Sequence, residues 1–208
     1  MNFIKHELPG TFVGESASPW LRRTIALLCV AYALATLAIL PFAHLPGPVI
    51  PAVTTTFGAG VLIADLCTGF LLLVQFRTAP TWAMLLLSAA YFYSGAMALL
   101  HVLTFPGAWI PDGVLIGTFQ SVGWLFIAWL LGFPSLVLAA VVSEARRKGR
   151  RISPGHVGRA TIGVLAAVAG AVIAIAVISL TGDTWLPHEL DGNVFALWGS
   201  VAQWTSAG

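Results

Sequence analysis

The sequence predicts an all-α protein, a polytopic bundle of about six transmembrane helices with a cytoplasmic N-terminus. Three observations carry this. Of the 208 residues, 58% are hydrophobic and only 9% are charged, whereas a soluble domain carries roughly 25% charged residues. The mean hydropathy is +0.91. The apolar residues are gathered into runs long enough to cross about 30 Å of hydrocarbon at about 1.5 Å per residue. So few charges cannot make a water-facing surface, which excludes the water-soluble classes.

Five runs of spanning length lie at 23–43, 58–76, 81–103, 115–142 and 160–180. A sixth begins near Asn193 and continues as "VFALWGSVAQWTSAG". It has no closing charge, and a longer natural chain, or a disordered tail, is expected to continue beyond it. Residues 1–22 form a cytoplasmic segment that stays polar for too long to be a cleaved signal peptide. The first run is therefore a retained anchor. Residues 23–208 read as one integral membrane domain, with a basic cytoplasmic loop at 144–159. The proline-rich stretch "HLPGPVIPAV" between the first two spans is expected to be stiff and extended. Cys29 and Cys67 both fall inside apolar runs and read as small packing residues.

Orientation follows from charge. Lys5, Arg22 and Arg23 precede the first span, and Arg77 lies between the second and third. Arg146, Arg147, Lys148, Arg150, Arg151 and Arg159 lie between the fourth and fifth. The alternate connections, 44–57, 104–114 and 181–192, contain no lysine or arginine. Positively charged loops stay cytoplasmic, so the N-terminus is predicted inside and the three uncharged or acidic connections outside. The cluster Arg146, Arg147, Lys148, Arg150 and Arg151 then suits anionic lipid headgroups rather than nucleic acid. Trp20, Trp82, Trp109 and Trp185 fall where interfacial aromatic belts belong.

Polar residues inside spans mark candidate function, because a charge at mid-membrane costs at least about 2.5–3.5 kcal/mol. Asp65 is the sole acid within a span. Thr68, Gly69, Leu72 and Gln75 share its helix face at spacings of three, four, seven and ten. The third span carries a matching stripe of Tyr91, Ser94, Gly95, Ala98 and His101, and the fourth adds Gln120, Ser121, Trp124 and Trp129. Counted from the outer ends, Asp65 lies about 10 Å deep, Ser94 about 13 Å, Gln120 about 8 Å and His101 about 3 Å. These residues predict a polar layer in the outer half, in which Asp65, Thr68, Tyr91, Ser94, His101, Gln120 and Trp124 are the candidates for receiving a signal. The competing reading is that they only hydrogen-bond helices together.

Other features read as architecture. Pro134, after Gly132 and Phe133, removes a backbone donor and predicts a kink that could relay movement. Ala166, Gly170 and Ala174 form a ridge of small residues in the fifth span, suited to packing within the subunit or against another copy or a membrane partner. His44, His101 and His188 fall on the predicted outer side, and their convergence would make a metal site. No spacing motif ties them together, so no cofactor is expected, and His101 is expected to order the outer turn as a hydrogen-bonding residue. The chain contains no HExxH, Walker A or GxSxG motif.

Three stretches carry a resemblance: "PAVTTTFGAGVLIADLCTGFLLLVQFR", "AAYFYSGAMALLHVLTFPGAWIPDGVL" and "QSVGWLFIAWLLGFPSLVLA". Across roughly residues 20–145 the chain resembles the MASE group of bacterial membrane-associated sensor domains, its fourth type. The matching positions are Asp65, Leu66 and Thr68; Gln75, Phe76 and Arg77; Tyr91, His101, Leu103, Thr104, Phe105, Pro106 and Gly107; and Gln120, Trp124, Gly132, Phe133 and Pro134. The resemblance implies a sensory input module of the bacterial inner membrane, usually fused to a diguanylate cyclase or histidine kinase. Many relatives follow the second tryptophan of the fourth span with histidine, whereas this chain has Trp129-Leu130. A two-histidine site between the third and fourth spans is therefore not expected.

The leading expectation is a non-catalytic sensory domain that passes a small-molecule, ion or membrane cue to a cytoplasmic output. One alternative is a structural subunit of a larger membrane complex. A second is a small proton-linked transporter using Asp65, weakened by the lack of a second buried acid and of an inverted repeat.

Overall fold

The computed structural model describes residues 18–42, 51–111, 113–147, 151–182, 190–191 and 194–195. Five of its helices are long and apolar enough to cross a membrane. They are α1 (Pro19–Ile39), α2 (Pro51–Thr78), α3 (Trp82–Thr104), α4 (Phe119–Arg147) and α5 (Pro154–Thr181). A two-residue antiparallel pair, β1 (Leu190–Asp191) and β2 (Val194–Phe195), follows. The chain divides into two units, Met1–Val49 and Ile50–Gly208.

The first unit contains α1 and a short 3-10 turn, Leu40–Phe42. Ser18 caps α1 by accepting from the Leu21 N–H at 3.3 Å, and Pro19 fills the first turn, where no N–H is needed. None of its described side chains is buried.

In the second unit α3 is the central helix. It packs against α2, α4 and α5, and half of its most apolar window is buried, against 6–11% for its three neighbours. The outward surfaces of those neighbours are leucine, isoleucine, valine and phenylalanine, as lipid requires. Two clusters fill the interior. Near one end Phe76, Leu85 and Ile152 pack with Trp82 and Val157. In the middle Tyr93, Met97 and Leu125 pack with Trp129, Phe133, Val168 and Val172.

The helix ends differ from the apolar runs because hydropathy marks only the greasy part of a helix. α2 begins at Pro51, so the end of the proline-rich stretch is helical rather than extended, with proline at the first-turn position it tolerates. α4 begins at Phe119 rather than at 115. Gly117 takes φ +80°, outside the helical region, and the Ser121 hydroxyl accepts from the Thr118 N–H at 3.0 Å. Most of the sixth run lies outside the described residues; at its start, Val194 and Phe195 are extended.

At the α2–α3 turn Thr81 caps α3 and forms a β-bridge with Arg151, and the Ile152 N–H donates to the Pro80 carbonyl at 2.7 Å. Ile152 is buried at 7% exposure, so the chain entering α5 is pinned under the α2–α3 turn.

Candidate functional site

The α2–α3 contact is built on glycine. A side chain at Gly95 would meet Leu66 at 3.3 Å and the Asp65 Cβ at 3.5 Å, and one at Gly58 would overlap Val102. Beside Leu66, Asp65 faces α3, half-buried, while Ile63 and Phe70 turn outward. Its Oδ2 is buried with no hydrogen-bond partner among the described residues. Thr68 is absorbed by its own helix, its hydroxyl donating to the Ala64 carbonyl at 2.7 Å. Gln75, at the far end of the stripe, is exposed.

On α3, Ser94 is 5% exposed and accepts from the Trp129 indole N–H at 2.8 Å. Tyr91 meets Phe133 edge-on, with ring centroids 5.4 Å apart. His101 lies among three rings, with Phe105 and Phe126 each at 5.8 Å and Trp129 at 6.0 Å. Its Nδ1 is buried without a hydrogen-bond partner among the described residues. The imidazole is therefore enclosed by aromatic surface. Gln120 and Trp124 are half-buried at the start of α4.

Together these contacts join part of the expected layer. Asp65 lies against Gly95, beside Ser94; Ser94 holds Trp129; and Trp129 faces His101. Asp65 Oδ2 and His101 Nδ1 are the two buried side-chain polar atoms without a partner among the described residues. A buried polar atom costs about 1–3 kcal/mol when left unpaired, so both are places where a donor, water or small ligand would be favoured. His44, His188 and Asp112 lie outside the described residues, so of the three histidines expected on the outer side only His101 is placed.

The turn after α3 is ordered by a residue that reads in sequence only as an interfacial anchor. Pro106 has no N–H to give to the Val102 carbonyl four residues earlier. Trp109 folds back and donates its indole N–H to that carbonyl at 2.9 Å. Gly107, at φ +73°, then bonds Gly113 across the turn at 2.9 Å.

Tyr93 is likewise absent from the expected stripe. Its hydroxyl donates to the Ala128 carbonyl of α4 at 2.7 Å, passing over Gly132, where any side chain would overlap the tyrosine ring. α4 continues through Pro134, and Ser135 donates to the Leu131 carbonyl at 2.6 Å. The ridge of Ala166, Gly170 and Ala174 points out of the unit, because α5 packs inward through Val157, Val164, Val168, Val172 and Ile175. Of the basic cluster, Arg146 and Arg151 are exposed, while Lys148, Arg150 and the Arg147 side chain lie outside the described residues.

No curated protein and no solved structure matches the chain. The family model described as membrane-associated sensor, integral membrane domain (MASE4), matches residues 47–205. That match covers α2 to α5 and every candidate residue from Asp65 to Pro134, so the chain, a multi-pass membrane protein, belongs to the MASE4 family of membrane-associated sensor domains.

Proposed function

We propose that this domain receives its signal between α2, α3 and α4, at Asp65 and His101, and relays it through the Gly132–Pro134 stretch of α4 to a cytoplasmic output. The carrying observation is the pair of unpartnered buried atoms, Asp65 Oδ2 and His101 Nδ1, on a connected path through Ser94 and Trp129. A small polar molecule or ion able to satisfy either atom would bind there more favourably than in an apolar bundle. The domain would have no chemistry of its own. It would sit in a bacterial inner membrane with its N-terminus and the 144–159 loop in the cytoplasm, where Arg146, Arg147, Lys148, Arg150 and Arg151 meet anionic headgroups.

The test is to fuse the chain to a diguanylate cyclase output and score cyclic dinucleotide production in cells. Asp65→Asn and His101→Gln should shift the output while leaving membrane levels unchanged. Asp65→Leu should shift it further, since hydrogen bonding is lost as well as charge. If all three match the wild type at equal abundance, the residues are packing groups and the sensing role falls. The outward ridge of Ala166, Gly170 and Ala174 favours a second reading, in which α5 docks another copy or a partner in a larger complex.

A further inference from the structure

A hydroxyl in an apolar span must find an acceptor, because lipid offers none. Many span hydroxyls here use their own helix: Thr36 bonds Tyr32, Thr68 bonds Ala64 and Thr161 bonds Val157. Tyr93 does not. Its ring is 3% exposed, fixed in the cluster of Met97 and Leu125, and its hydroxyl crosses to the Ala128 carbonyl of α4. The crossing requires Gly132, since a Cβ there would occupy the space of the tyrosine hydroxyl and ring.

The target lies just above the weakest part of α4. Pro134 gives no N–H to the Leu130 carbonyl, so one rung of the helix is missing. The next carbonyl, Leu131, takes the Ser135 hydroxyl at 2.6 Å, a bond that favours bending. From Pro134 to Arg147 α4 runs on for about 20 Å, so a 10° change at the weak point would carry its inner end about 3 Å.

We propose that Tyr93 is the latch of this hinge. Its hydrogen bond to Ala128, fitted over Gly132, fixes α4 to α3 immediately before Pro134, so the inner half hangs from a held point, and breaking the bond frees that point and lets the inner half swing. The latch deepens the relay reading by naming the contact that sets the hinge. It can be tested without any signal, so its failure and the failure of sensing at Asp65 and His101 remain separate results.

The experiment uses the full chain in lipid bilayers, with Cys29→Ser and Cys67→Ser and pairs of spin labels at exposed positions. Val74 on α2 and Val141 on α4 report the inner half; Val53 and Phe119 report the outer half. An interhelical hydrogen bond of ordinary membrane strength corresponds to a change of roughly three- to twentyfold in the ratio of two positions. Tyr93→Phe, which keeps the ring, should shift or split the inner distance by such a change and leave the outer distance alone. Gly132→Ala, which displaces the ring, should do the same. An unchanged inner distance in both variants overturns the latch. So does an equal change in both pairs, or a Tyr93→Phe chain that does not fold, since either makes the bond a general support of the bundle.

Discussion

Trp129 donates its indole N–H to the Ser94 hydroxyl across 2.8 Å, and this bond ties α4 to α3 one residue from the glycine that faces Asp65. The same tryptophan lies 6.0 Å from the His101 ring. One side chain thus links the two halves of the candidate site, and it is the first place to measure coupling.

Interhelical hydrogen bonds in membranes average about 0.6 kcal/mol and reach about 1.7 kcal/mol. A double-mutant cycle with Ser94→Ala and Trp129→Phe, read by unfolding in mixed micelles, should give a coupling within that range. A coupling of zero would show that the bond does no more than fill space.

The α2–α3 contact depends on the absence of a side chain at Gly58. Gly58→Ala places a methyl group into Val102, which is itself buried. Overpacking of this kind costs about 1–3 kcal/mol. Val102→Ala in the same chain should recover most of the loss. Gly60→Ala, two residues away with no atom within 4 Å of its Cβ position, should cost nothing. Unfolding measurements on the three variants test the interface directly.

At the turn after α3, Trp109→Phe leaves the Val102 carbonyl with only the long Phe105 N–H bond at 3.4 Å. A loss of about 1 kcal/mol is expected. Hydrogen exchange should quicken at Gly107 and Gly113 while the middle of α3 stays protected. Equal protection in both chains would mean that the indole is an interfacial anchor only.

Orientation is checked with a Gly149→Cys chain lacking Cys29 and Cys67. With the basic loop in the cytoplasm, a membrane-impermeant thiol reagent should leave position 149 unlabelled in intact cells and label it once the cells are opened.

The spans could be read from the sequence because hydropathy and length alone define a membrane helix, and Asp65 and His101 stood out because an ionisable group in lipid is rare. The surroundings of these two groups could not be read in the same way. Phe126 and Trp129 of α4 close on His101 of α3, and no spacing within one helix records that meeting. The role of Tyr93 is hidden in the sequence for a different reason. A single inward stripe on the third span holds Tyr91 and Ser94 but not Tyr93. α3 is central, however, and packs on three helices, so more than one face is buried and stripe logic fails there. The role of Trp109 did leave a trace: Pro106 stands four residues after Val102, and that spacing alone leaves a carbonyl in need of a donor.

The bridge between Thr81 and Arg151, with Ile152 seated beneath Pro80, has a mechanical meaning for α4. Only four peptide steps separate Arg147, the last residue of that helix, from the pinned Arg151. Fully drawn out, those steps reach at most about 14 Å. The C-terminal end of α4 is therefore on a short leash staked to the α2–α3 turn. An excursion beyond that reach must either stop or pull Ile152 from its socket. The length of the basic loop, as much as its charge, sets how far this helix can travel.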